Sequence, residues 1–276
     1  MTVASARSGS RGHGLAFALA LLFALLFAAP LLLALSTSLK SPAELTQVFS
    51  LPSTPYWHNY AVAIDRMGRS FVNSLLITGP AVVFSIAIGA ISAYPLAYTR
   101  GRGGTIAYFV LLTGMLVPFQ IVQIPLFFLV HTLGLYDTIP GLWLVHAAYG
   151  VPFCTFFMRN FFASVPRSMF EAARIDGCSV NSYLWRLLLP ASGSGLSALA
   201  IIQSRAIWND LLFGMTLTSS DRARPATVAI AGFASGTQVE FGPLMAATLI
   251  SSLPVMCAYL LFQRAFVRGL LGGAGK

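Results

Sequence analysis

The sequence predicts an all-α integral membrane protein with six transmembrane helices and both termini on the cytoplasmic side. Three observations carry that prediction. The chain of 276 residues is 57% hydrophobic and 9% charged, where soluble domains are roughly a quarter charged. Six apolar runs reach the roughly 20 residues that a helix needs to cross about 30 Å of hydrocarbon. The 17 basic residues are unevenly shared among the loops between those runs. In a soluble protein the net charge of +9 would suggest nucleic acid. Here it reads as loop basicity, and no nucleic-acid partner is expected. Cys154, Cys178 and Cys257 are scattered and form neither a disulfide framework nor a metal-binding spacing.

The first run, 15–36, follows Arg7 and Arg11. Its 21 uncharged residues from Leu15 to Leu35 exceed the roughly 7–15 residues of a signal-peptide core, so an uncleaved span is expected. The second, 70–98, is long enough to tilt or to begin outside the bilayer. Ser85, Gly89 and Ala93 place a small residue every four positions along it, which lets two helix backbones approach. The third run is 105–130. Pro80, Pro95, Pro118 and Pro125 lie in or near the second and third runs, where kinks are tolerated because neighbouring groups satisfy the freed carbonyls. The remaining runs are 139–162, 195–217 and 243–262.

With the N-terminus inside, Arg7, Arg11, Arg100, Arg102, Arg159, Arg167, Arg174, Arg186, Arg264, Arg268 and Lys276 face the cytoplasm. Lys40, Arg66, Arg69, Arg222 and Arg224 face outward, and Arg205 lies within a run. Basic residues favour cytoplasmic loops, so this orientation is the expected one. It makes the 164–190 segment cytoplasmic and the loops near 37–69, 131–138 and 218–242 external. The chain divides into an N-terminal region (1–68), a transmembrane core (69–263) and a cytoplasmic tail (264–276).

The 164–190 segment is the longest polar stretch rich in basic residues in the chain, and its pattern predicts a helix, a turn and a second helix. Ser168 and Glu171 fit an S-x-x-E capping box. Met169 to Ile175 make about two turns. Gly177 follows at the position where a left-handed residue ends a helix, and Ser179 can cap the next helix, through Tyr183, Leu184, Leu187 and Leu188. Pro190 breaks or kinks the chain before the next span. Met169, Phe170, Ala173 and Ile175 make the first helix largely apolar, and Ala172 and Ala173 keep part of it narrow. So short a helix is marginal alone. It needs a groove on another protein or a lipid surface, and the residues themselves leave both open.

The sequence EAARIDG, followed nine residues after its glycine by LLLP, resembles the EAA loop of bacterial ABC importer permeases. SLKSPAEL at 38–45, NSL at 73–75, WNDLLF at 208–213, FGPLMAA at 241–247, LP at 253–254 and the 262–276 tail extend the likeness over almost the whole chain. They are most similar to the carbohydrate type, in particular the second permease subunit of maltose importers. The resemblance implies the ABC transmembrane type-1 fold, a second permease subunit, two cytoplasmic ATPase subunits that bind ATP and Mg, and an external solute-binding protein. It implies a carbohydrate-like solute and the bacterial inner membrane. No cofactor and no enzymatic activity are expected in this chain. The coupling residues it implies are Glu171, Ala172, Ala173, Asp176, Gly177, Leu189 and Pro190, with Glu171 also pairing with a basic ATPase residue. Departures from the family pattern lie at Ala191–Gly195, where added glycines are expected to loosen the entry to the fifth span. External segment 218–242 aligns with one that enters the binding protein, and Gly232, Ser235 and Gly236 would allow a mobile tip.

Polar residues within the runs are candidates for the solute pathway. Arg205, placed near the middle of the fifth run, costs about 2.5–3.5 kcal/mol or more unless paired or hydrated. Asn209, Asp210, Gln120 and Gln123 join it as candidates, with His131 and His146 as weaker ones. An ion-coupled secondary transporter is the alternative, but it would favour acidic residues or inverted repeats in the spans.

Overall fold

The computed structural model describes residues 8–98, 101–235 and 239–274. Among them every regular element is helical, and the helices form two compact units.

One unit comprises the described residues up to Arg66 together with those of Ile230–Ile250. Its first helix, α1 (Ser8–Ser38), contains the apolar stretch Ala16–Ser38, in which Ser38 alone is buried. The loop that follows is built around a lysine. Lys40 is 1% exposed, and its ammonium donates to the carbonyls of Gln47 (2.6 Å) and Val48 (2.9 Å). Those bonds matter because a buried ammonium without partners costs several kcal/mol. Asn59, at the start of α2 (His58–Tyr98), donates to the carbonyls of Ser38 and Lys40, both at 2.9 Å. Glu44 accepts from the Ser53 amide (2.9 Å) and hydroxyl, and from the Ser41 amide (3.0 Å) and hydroxyl (2.9 Å). The Ser53 bonds lead in holding its carboxyl down at about 2. The S-x-K-x-x-x-E residues therefore organise their own loop.

The other unit holds Met67–Ala229 and the described residues from Ser251 onward. The 105–130 run, expected as one helix, is two: α3 (Arg102–Leu116) and α4 (Phe119–Thr132), bent by 94°. Pro118 supplies the cause. A proline pushes the residue before it out of the helical region, and Val117 is extended at φ −74°, ψ 117°. α5 (Ile139–Ser164) is continuous, capped by the Thr138 hydroxyl accepting from the Gly141 amide at 3.1 Å. Among the described residues, four helices are long and apolar enough to cross a membrane, or up to six if each of two sharply bent pairs is one span.

The small residues of α2 do what their spacing predicts. Ser85, Gly89 and Ala93 are buried. A β-carbon on Gly89 would lie 2.9 Å from the Cys154 carbonyl carbon and 3.0 Å from the Thr155 nitrogen, so α2 and α5 meet backbone to backbone. Arg159 of α5 donates to the Leu96 carbonyl (3.2 Å) and lies 4.1 Å from the centre of the Tyr108 ring of α3. The NSL motif on α2 anchors a loop. Asn73 donates to the carbonyls of Asp221 and Arg224, both at 3.0 Å, and the Ser74 hydroxyl accepts from the Ala226 amide at 2.8 Å. Asp137 ties the α4–α5 turn to Ser219 and Ser220, accepting from both amides (3.0 and 3.1 Å) and from the Ser220 hydroxyl (2.5 Å). Burial would raise its carboxyl, but the bonds from Ser220 and Ser219 hold it below the usual range.

Within the 218–242 segment these anchors hold the stretch that precedes the tip expected at Gly232, Ser235 and Gly236. Ala226–Gly232 is a helix, α11, and its approach is hydrogen-bonded to α2. Gly236 lies outside the described residues.

Candidate functional site: the 164–190 segment and the Arg205 cavity

The segment after α5 folds as α6 (Arg167–Ile175), a tight turn, and α7 (Val180–Tyr183). Its C-terminal turn matches the expectation. Gly177 has φ +78°. The Cys178 amide donates to the Ala173 carbonyl at 2.8 Å, and the Gly177 amide to the Arg174 carbonyl at 3.2 Å. This is the paired bond set of a Schellman motif, which satisfies carbonyls the helix end leaves free. The Ser179 hydroxyl accepts from the Ser182 amide at 3.2 Å and caps α7 as predicted.

The N-terminal expectation fails. α6 has no side-chain cap, and Pro166 occupies the cap position. Its carbonyl already accepts from Met169 at 3.1 Å, so the helix begins at Arg167 and Ser168 stands inside the first turn, where no capping box can form. Glu171 is exposed, and among the described residues its carboxylate makes no hydrogen bond.

Packing divides the EAA residues. Ala173 is 6% exposed and joins a core with Ala90, Tyr94, Met158, Phe162 and Tyr183, against which Met169 and Phe170 also pack. Ala172 is exposed, as are Asp176 and Gly177. Ile175, expected on the apolar face, is 86% exposed. The outward surface thus includes Glu171, Ala172 and Ile175, together with Arg167, Ser168 and Arg174, with the turn beside it. Leu189 is half-buried against the same core and Pro190 is exposed, in a later part of the segment. Between α7 and α8 (Leu189–Ala191) the chain widens into a π-helical turn at Leu184–Leu188, immediately before the proline whose ring would crowd the carbonyl four residues back. α9 (Gly193–Trp208) then departs at 73°. The two glycines at its start differ: Gly195 is buried, and a β-carbon there would lie 2.5 Å from the Phe161 ring, whereas one on the exposed Gly193 would meet nothing within 4 Å.

The fifth run is also interrupted. α9 ends at Trp208, so Arg205 occupies its last turn rather than the middle of a span, and α10 (Leu212–Leu217) follows the break. The WND residues build that break. The Trp208 indole donates to the Ser251 carbonyl of α12 (Phe241–Ala274) at 2.9 Å. Asn209 donates through its side chain to the Arg205 carbonyl at 2.9 Å. The Asp210 carboxylate accepts from the amides of Phe213 (3.0 Å) and Gly214 (3.4 Å), and lies 3.9 Å from His146. Carboxylates favour helix N-termini, and Asp210 holds that of α10.

Arg205 is exposed and forms no ion pair or side-chain hydrogen bond among the described residues. It lines a cavity of about 220 Å³ with Leu75, Thr78, Gly79, Ser204, Trp208 and Pro254 among its walls. The other pathway candidates are elsewhere. Gln120 and Gln123 are on α4, the latter half-buried with an unpartnered amide nitrogen, and neither lines this cavity. His131 stands among the rings of Phe127 and Tyr136. Sequence reasoning missed Gln203, 5% exposed and 3.4 Å from the Ser85 hydroxyl. Its being a polar residue within the fifth apolar run was the available signal.

Comparison with known proteins agrees with this architecture. The chain is 34% identical to the diacetylchitobiose uptake system permease protein NgcG of Streptomyces coelicolor, over 95% of this chain and 88% of that protein. It is 31% identical to the trehalose transport system permease protein SugB of Mycobacterium tuberculosis, over 90% of this chain and 92% of that protein. Its structure superposes with a TM-score of 0.78 and 26% identity, covering 96% of this chain and 100% of the other, on a chain of a bacterial ABC transporter involved in the import of the acidic polysaccharide alginate. Residues 85–272, which include the whole 164–190 segment and the Arg205 cavity's α9 and α12 walls, match the family of binding-protein-dependent transport system inner membrane components, and the chain is a permease belonging to that family.

Proposed function

We propose that this chain is one half of a heterodimeric pore in the bacterial inner membrane, importing a sugar or related polyol at the expense of ATP hydrolysed by separate subunits. Six spans with both termini in the cytoplasm place α6 on the side where ATP is available. The observation that carries the reading is the asymmetry of α6. One face is fixed in the core through Ala173, Met169 and Phe170, while Glu171, Ala172 and Ile175 stand unpartnered on the other. A helix so held presents a rigid, narrow ridge to a groove on an ATPase, with Glu171 available to a basic residue there. The carbohydrate relatives, and a structural neighbour of a related importer solved with its pentasaccharide-bound periplasmic protein, support a solute-binding protein as the external partner and a saccharide as the cargo.

Arg205 and its cavity are the proposed point of solute contact. The ion-coupled alternative needs free acidic groups in the spans, and the nearest candidate, Asp210, is engaged by α10. Two measurements test the function. Deleting the chain should abolish ATP-dependent solute uptake, restored by the wild type. Calorimetry of the cognate binding protein against a saccharide panel should find a ligand; binding of amino acids or ions alone would contradict the carbohydrate reading.

A further inference from the structure

Phe170, on the inward face of α6, stands against two tyrosine rings. Tyr183 of α7 is 5.0 Å away, edge to face at 82°, and Tyr98 of α2 is 5.3 Å away at 30°. Tyr98 and Tyr183 meet each other at 6.1 Å and 87°. Tyr94, one helical turn before Tyr98, closes the cluster at 5.4 Å from Tyr98 and 6.3 Å from Tyr183. Its hydroxyl donates to the Val180 carbonyl at 3.0 Å, at the first residue of α7. Tyr183 is fully buried and Tyr94 is 8% exposed.

The packing of α6 therefore reaches beyond the helix it is joined to. The peptide chain joins α6 to α5 through Val165 and Pro166, and Met158 and Phe162 of α5 share its core, but its aromatic contacts run to α2 and α7. Interdigitated side chains at interior density do not slide past one another continuously, so packed elements move together. From Tyr98 back to Thr78, α2 is an unbroken helix about 30 Å long at 1.5 Å per residue. At that far end Leu75, Thr78 and Gly79 form the α2 wall of the Arg205 cavity.

We propose that Tyr94, Tyr98, Phe170 and Tyr183 form a mechanical linkage that makes α2 follow the coupling helix, carrying ATPase-driven movement of α6 to the Arg205 cavity. These are positioning residues: they touch neither nucleotide nor solute. The inference rests on the coupling role proposed for α6.

The test uses the assembled importer in proteoliposomes, with Cys178 and Cys257 replaced by serine; the remaining Cys154 is fully buried. A spin label at Gly79→Cys, where a side chain meets nothing within 4 Å, reports the cavity end of α2. A second preparation carries Ala172→Cys to report docking by cross-linking to the ATPase. Trapping the ATPases with ATP and vanadate should change the label's spectrum in the wild-type background. Phe170→Leu, which fills the space without a ring, should abolish that change while the Ala172→Cys cross-link still forms. Tyr98→Phe, which keeps the ring, should preserve both signals. An unchanged spectral response in Phe170→Leu, with the cross-link intact, overturns the linkage. Loss of both the response and the cross-link in Phe170→Leu also overturns it, because the ring then serves docking alone. Absence of the cross-link in the wild-type background would overturn the coupling role itself, and the linkage with it.

Discussion

Gly177 carries a backbone constraint that no other residue of the 164–190 segment carries. At φ +78° it occupies the left-handed region, which costs an L-residue roughly 1–2 kcal/mol and a β-branched one more. Gly177→Val should abolish solute uptake while leaving the amount of protein in the membrane unchanged; normal uptake would show that the turn is dispensable. Glu44 makes a different prediction. Its carboxyl is lowered from 4.5 to about 2, first by the Ser53 hydroxyl and amide and then by Ser41. A depressed carboxyl contributes stability that is present above 4.5 and is lost as pH falls from there through about 2. A carboxyl titration by NMR should place the Glu44 midpoint near 2, and Ser53→Ala should return it toward 4.5. The first of these features was legible in the sequence and the second was not. Glycine two places after the last apolar helical residue could do little else, whereas SLKSPAEL marked a family segment without revealing that Glu44 holds its loop. Asp210 was not legible in this way: its type placed a charge near the membrane, but only the break after Trp208 reveals that it caps α10.

At the scale of the element, α6 separates two neighbouring alanines that the sequence makes equivalent. Successive residues of a helix point about 100° apart, and packing decides which one is inside. Ala173→Leu should overpack the core beneath α6, with a cost of about 1–3 kcal/mol, and should lower thermal stability in detergent. Ala172→Leu should leave stability unchanged and weaken co-purification of the ATPase. Equal loss of stability in both variants would contradict the assigned faces. The same limit explains the two broken runs. Hydropathy reports that 105–130 and 195–217 are apolar, not that the chain turns within them. Pro118 was visible as a breaker, yet a kink and a 94° bend read alike until Val117 is seen extended. The capping box at Ser168 and Glu171 failed for a related reason: Pro166 had already fixed where the helix begins.

For the whole molecule, the family assignment follows from motifs distributed across the chain, but the division of labour follows from the placement of two surfaces. The inward face of α6 and the Arg205 cavity both adjoin α2, the former near Tyr98 through Phe170 and the latter near Thr78. Such long-range juxtapositions have no local sequence signal beyond Tyr94 and Tyr98 sharing a helix face. On the proposed function, power and cargo are recognised at separate ends of one helix. The central claim is that α6 docks on an ATPase, and the most direct measurement is site-specific cross-linking from Ala172→Cys in the assembled importer. The account predicts a cross-linked product with the ATPase subunit, abolished by Gly177→Val. A product formed only with lipid or with the partner permease, and never with the ATPase, would contradict it.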